Sequence, residues 1–128
     1  MNNEKIRKIM IVDDEETSLF FLGKILERAG YVVVSTPKGK EALSLAVKEK
    51  PDVIILDIVM PDMSGSEVAA LLAKMPETMH IPIIYLSAIL TKDEETLIQK
   101  SGKHFVLAKP VTGPELTAKI GQVLSGKQ

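Results

Sequence analysis

Five short apolar runs, recurring at intervals long enough for a helix between them, limit the folds open to this chain more than any other feature. They are Ile9–Val12, Tyr31–Val34, Val53–Leu56, Ile83–Leu86 and Phe105–Ala108. Each is of strand length, rich in Val and Ile as a set, and continuously apolar rather than alternating. A strand covered on one face alternates; a strand covered on both faces does not. The pattern therefore predicts a parallel sheet with helices on both faces, since parallel neighbours need a crossover of about a dozen residues or more.

The intervening segments carry helical periodicity. Glu16 to Ala29 places Phe21, Leu22, Ile25, Leu26 and Ala29 on one arc, and Gly30 ends it. Lys38 to Lys50 carries Ala42, Leu43, Ala46 and Val47 before Pro51. Ser64 to Lys74 opens with Ser64 and Glu67 at capping-box spacing, followed by Val68, Leu71 and Leu72. Lys92 to Ser101 is the weakest of the set, with only Leu97 and Ile98 as large apolar residues. Gly113 to Ser125 has Thr112 and Glu115 at capping-box spacing, Pro114 in the first turn, and Leu116, Ile120, Val123 and Leu124 to bury. Five βα units thus use almost all of the 128 residues, predicting one α/β domain over 1–128 with its core at about 8–124 and no output domain.

Charge and composition remove several function classes. Sixteen basic residues stand against 17 acidic ones, a net charge of −1, so bulk attraction to nucleic acid or an anionic membrane is not expected. The absence of cysteine excludes zinc–thiolate sites, thiol nucleophiles and redox motifs. Met1 to Met10 lacks the apolar stretch of a signal peptide, and no apolar run approaches membrane-spanning length. A cytoplasmic location is the expectation.

In an open parallel sheet, ligands bind beyond the carboxyl ends of the strands. Those ends carry Asp13-Asp14-Glu15-Glu16 after the first run, Asp57 and then Met60-Pro61-Asp62-Met63-Ser64-Gly65 after the third, Ser87-Ala88 after the fourth and Lys109-Pro110 after the fifth. Two carboxylates about 4 Å apart repel by roughly 4 kcal/mol at an effective dielectric near 20. A hard divalent cation relieves that repulsion, and Mg²⁺ accepts one or two carboxylates plus a phosphate. A lysine and a hydroxyl supply further contacts to phosphate oxygens. Asp57, ending the most apolar run, is the natural nucleophile for phosphoryl transfer to a carboxylate.

These residues, in order, resemble the response-regulator receiver domain of two-component signalling: Val12-Asp13-Asp14, Leu56-Asp57-Ile58-Val59-Met60-Pro61, Ser64-Gly65, Ser87-Ala88 and Lys109-Pro110. The likeness runs from Lys8 to Leu124. It implies a (βα)5 doubly wound sheet of flavodoxin-like order 2-1-3-4-5. It implies Asp57 as phosphoacceptor, with Asp13, Asp14, Asp57 and the Val59 carbonyl as Mg²⁺ ligands. Ser87 and Lys109 would contact the phosphoryl group, and Lys109–Pro110 would be cis. The implied partners are a sensor histidine kinase or histidine phosphotransfer protein, and a downstream protein. The latter would read the face built by segment 92–101, the fifth strand and the last helix. The chain would be a signalling domain rather than an enzyme, with only self-catalysed phosphotransfer and autodephosphorylation.

Other readings fit less well. A phosphatase using an aspartyl-phosphate intermediate needs a second acid two residues after the nucleophile, where Val59 stands. A flavin phosphate would be repelled by Asp13-Asp14-Glu15-Glu16. A degenerate receiver serving as a phosphorylation-independent binding module is the alternative, although none of the five site side chains is missing. Four positions stand out against the commonest receiver pattern. Val106 replaces the usual aromatic, which shifts the expected switch to the loop 88–91 and segment 92–101. Val59 and Ile89, flanking the phosphorylation site, are both apolar. Phe20 lies on the outer face of its helix with Lys24 and Glu27. His80 and His104 have no ligand-like spacing.

Overall fold

The computed structural model describes residues 6–88 and 105–126. The strands are β1 (Lys8–Val12), β2 (Val32–Thr36), β3 (Val53–Asp57), β4 (Ile83–Ser87) and β5 (Phe105–Ala108). The helices are α1 (Glu16–Arg28), α2 (Gly39–Glu49), α3 (Gly65–Ala73) and α4 (Gly113–Leu124). The helix expected over 92–101, the switch residues from 89 to 91 and His104 lie outside the described residues.

All strands are parallel, in the order β2-β1-β3-β4-β5. Met10 of β1 pairs with Val34 on one side and Ile54 on the other. The two central strands carry two interleaved sets of apolar residues. Ile9, Ile11, Val53 and Ile55 pack with Leu22 and Leu26 of α1 and with Leu116 and Ile120 of α4. Met10, Val12, Ile54 and Leu56 pack with Ala42 and Ala46 of α2 and with Val68 and Leu72 of α3. The unbroken apolar runs are thus two period-2 patterns superposed, one for each face of the sheet.

Both capping boxes form. Ser64 Oγ accepts from the Glu67 N–H at 3.2 Å, and the Glu67 carboxylate accepts from the Ser64 N–H at 3.0 Å. Thr112 and Glu115 repeat the exchange at 3.2 and 2.9 Å. Gly30, at φ 99°, ends α1 in the left-handed region that glycine adopts at low cost.

Some positions differ from the periodicity. Tyr31 precedes β2, its N–H donating to the Leu26 carbonyl at 3.0 Å in the turn that leaves α1. Phe21 is 54% exposed, and Ala29 is an exposed C-cap residue. The buried stripe of α1 is Leu22 and Leu26, with Leu19 and Ile25 partly covered. Leu71 is likewise exposed, leaving Val68 and Leu72 as the inward pair of α3. A helix lying on a twisted sheet buries a narrower stripe than its apolar arc.

Two glycines make opposite predictions. A Cβ on Gly65 would collide with the Asp57 carbonyl oxygen and lie 2.8 Å from Ile58 Cα, both backbone atoms. A Cβ on Gly121, in α4, meets nothing within 4 Å. Gly65→Ala is expected to lower stability by about 1–3 kcal/mol, and Gly121→Ala to raise it by about 0.5–1 kcal/mol. Urea denaturation of both variants checks the pair.

Candidate functional site

The sheet delivers its chemistry at one edge. Asp13 follows β1 and is fully buried; Asp14 is half-buried. Asp57 is the last residue of β3 and 5% exposed, and Ser87 is the fully buried last residue of β4. Lys109 follows β5, its N–H donating to the Ser87 carbonyl at 2.9 Å, and the Lys109–Pro110 bond is cis. Asp57 sits opposite Leu86 and Ser87 opposite Ala108, so the parallel register brings these strand ends to one level. Pairing of β1 with β3 places Asp13 beside them, since Val12 lies opposite Leu56.

The Lys109 ammonium is the hub of the cluster. It donates to Asp13 Oδ2 at 2.9 Å, to Asp57 Oδ2 at 3.4 Å and to Glu15 Oε1 at 3.4 Å. The second oxygen of each aspartate accepts a backbone N–H: Glu15 to Asp13 Oδ1 at 3.0 Å, and Val59 to Asp57 Oδ1 at 3.3 Å. One carboxylate oxygen from each of Asp13, Asp14 and Asp57 lies within 4.8 Å of the other two. Three hard oxygen donors at that spacing fit a small divalent cation such as Mg²⁺. Val59, the residue implied as a carbonyl ligand, is 52% exposed.

Burial is the largest influence on Asp57, and the charge of Asp13 adds to it; Lys109 and the Val59 N–H act the other way. The net result pushes its pKa up from 3.8 to about 6. For Lys109, burial disfavours the ammonium, but the contacts with Asp13 and Asp57 outweigh it and hold the pKa above its ordinary value.

The five expected side chains, those of Asp13, Asp14, Asp57, Ser87 and Lys109, therefore gather at the strand ends. Two further acidic residues take part. Glu15, third in an acidic run that also suits a helix start, contributes a contact to Lys109. Asp62, in the loop after β3, accepts from backbone N–H groups in the first turn of α2. Beside the cluster lies a largely apolar cleft of about 340 Å³ between α1 and the end of β5, with Phe21, Leu86, Ala88, Lys109 and Pro110 in its walls.

This fold and edge are those of a signalling domain. A family model described as the response regulator receiver domain matches residues 9–121, and the chain belongs to that family. It is thus a receiver domain of two-component signalling. Among its relatives is the polar-differentiation response regulator DivK of Brucella anthropi, 35% identical over 118 residues, which cover 92% of this chain and 96% of that protein. The chemotaxis protein CheY4 of Vibrio cholerae superposes with a TM-score of 0.83 at 29% identity, over 94% of this chain and 100% of that one. A response regulator from Desulfuromonas acetoxidans superposes with a TM-score of 0.82 at 34% identity, over 93% and 97% of the two chains.

The raised pKa of Asp57 has a definite sign in stability. Above pH 3.8 the unfolded carboxyl has ionised, while the folded one holds its proton up to about pH 6. Asp57 thus favours folding most below pH 3.8 and loses that contribution as pH rises through about 6. In chelator-treated buffer, the stability of Asp57→Asn relative to wild type should rise between pH 4 and pH 7. Parallel pH–stability curves for the two proteins would show an ordinary Asp57.

Proposed function

We propose that Asp57 accepts a phosphoryl group from a phosphohistidine donor. One Asp57 oxygen forms the new bond to phosphorus as the phosphorus–nitrogen bond to imidazole breaks, and the imidazole leaves with the bonding pair and takes up a proton. The observation that carries this reading is the position of Asp57. It ends a central strand, almost buried, between a lysine ammonium and two further carboxylates.

Asp13, Asp14, Asp57 and the Val59 carbonyl would hold Mg²⁺, which supplies positive charge against the equatorial phosphoryl oxygens. Lys109 already contacts Asp57 and would turn to the phosphoryl oxygens as they arrive. The Ser87 hydroxyl is the third contact in this reading. Charge stabilisation by positioned groups in a partly buried site is the main source of rate in such transfers.

The partners follow from the same edge. A histidine kinase or phosphotransfer protein must approach over α1, whose start lies beside Asp14. There Phe20 is 68% exposed, with the Lys24 ammonium 5.4 Å from its ring centre, and Phe21 borders the cleft leading to Lys109. A downstream protein would read the surface beside β5 and α4.

Incubation with a phosphohistidine protein and Mg²⁺ should place one base-labile phosphate on each chain, and Asp57→Asn should abolish it. Full labelling of Asp57→Asn would sink the assignment. Phe20→Ala should slow transfer from the protein donor and leave labelling by a small phosphodonor unchanged. Equal slowing by both routes would make Phe20 structural.

The lifetime of the phosphorylated form is a separate expectation. Val59 is exposed beside Asp57 and offers an attacking water no hydrogen bond. Dephosphorylation should accordingly be slow for a receiver. Val59→Asn, which supplies a group to orient that water, should speed release about tenfold or more. Phosphate release from the purified phosphoprotein measures both rates.

A further inference from the structure

The loop between β3 and α3 carries Val59 and is fastened at two places. Near its start the Ile58 N–H donates to the Leu86 carbonyl at 3.0 Å, and the Ile58 carbonyl accepts from the Gly65 N–H at 2.8 Å. Farther along, Asp62 reaches across to a different helix. Its Oδ1 accepts from the Gly39 N–H at 3.2 Å, and its Oδ2 from the Lys40 N–H at 3.1 Å.

Those two N–H groups belong to the first turn of α2, which has no capping side chain of its own. The N-cap residue, Lys38, makes no side-chain hydrogen bond to the helix. A helix start leaves its first N–H groups without helical partners, and here a carboxylate 22 and 23 residues away in sequence takes two of them. Contact with those amides holds the Asp62 carboxyl below its usual range. Packing reinforces the link. Gly39 is buried, and a Cβ placed there would lie 3.0 Å from the Met63 carbonyl oxygen and 3.2 Å from Met60 Cε. Met60 itself is buried in the same cluster as Ala42 and Ala46 of α2.

We infer that Asp62 is a positioning residue for the metal-binding loop, holding the Val59 backbone in place by clasping the loop to the start of α2. The inference rests on the reading of Val59 as a carbonyl ligand. Loss of the clasp frees the stretch from 59 to 63 between its remaining anchors, and the carbonyl must then be ordered at the moment the ion binds. Coupling of this kind is reciprocal. Ordering of the loop by Mg²⁺ therefore protects the Gly39 and Lys40 amides, and only when Asp62 is present.

The experiment measures Mg²⁺ affinity by calorimetry, and amide hydrogen exchange at Gly39 and Lys40 with and without Mg²⁺. Asp62→Ala should weaken Mg²⁺ binding by about three- to tenfold, at or below the low end of the cost of removing an outer-shell partner. It should also abolish the Mg²⁺-induced protection of Gly39 and Lys40. Asp62→Asn keeps one acceptor oxygen and should fall between wild type and Asp62→Ala.

Asp52→Ala is the matched control. Asp52 accepts the Lys8 N–H at 2.8 Å at the opposite end of the sheet, so its loss should reduce stability without moving Mg²⁺ affinity. Unchanged Mg²⁺ affinity in Asp62→Ala, or an equal loss in Asp52→Ala, would overturn the positioning role. A wild-type protein that binds no Mg²⁺ would instead overturn the metal-site reading on which it rests.

Discussion

The ammonium of Lys109 lies 2.9 Å from Asp13 and 3.4 Å from both Asp57 and Glu15, and the carboxyl edge of the sheet depends on those contacts. Asp13 and Asp57 are almost fully buried and close enough to repel one another strongly. Burying two unpaired carboxylates would cost more than a small domain can offset. One cation, placed between them and tethered through its own N–H to Ser87, makes the arrangement tenable. The same contacts leave Asp57 in a poised state. Burial and Asp13 raise its pKa while Lys109 lowers it, and burial is the largest of these influences.

Backbone geometry ensures that the lysine can reach. Residues 13 and 109 are far apart in the chain, and parallel pairing through β3 and β4 sets their ends side by side. The loop after β3 is then pinned by close approach as well as by hydrogen bonds. Gly65 leaves no room for a Cβ against the Asp57 backbone, so the start of α3 rests directly on the residue that ends the central strand. Hydrophobic burial fixes the strands, and hydrogen bonds at their ends fix the chemistry.

Much of this was legible in the residue order. The five strands and the two capping boxes follow from local rules, and the site residues stand where a parallel sheet must display them. What escaped were features that depend on pairing distant segments. Phe21 reads as buried from its helical period, yet the stripe that α1 buries is narrower than its apolar arc, and the ring borders the cleft by Lys109. Leu71 likewise reads as buried from its period, yet it is exposed beside the inward pair Val68 and Leu72. Asp62 looks like an ordinary turn residue, because nothing near it in sequence announces that α2 lacks a cap of its own. Glu15 was hidden within an acidic run that a helix start already accounts for. Thr78 gives no local signal either, yet its buried hydroxyl donates to the Leu72 carbonyl at 2.7 Å and satisfies the end of α3.

The sheet also separates the interior into two apolar clusters that share strands but not side chains, one beneath α1 and α4 and the other beneath α2 and α3. Neighbouring residues of a central strand serve opposite clusters, so a change of volume at Ile55 is absorbed on one side and a change at Leu56 on the other. Each half can therefore drift in sequence on its own. The exposed side of α1 can be resurfaced over generations while the half beneath α2 and α3 stays as it was. A lineage that duplicated such a gene could diversify its partners without rebuilding its chemistry.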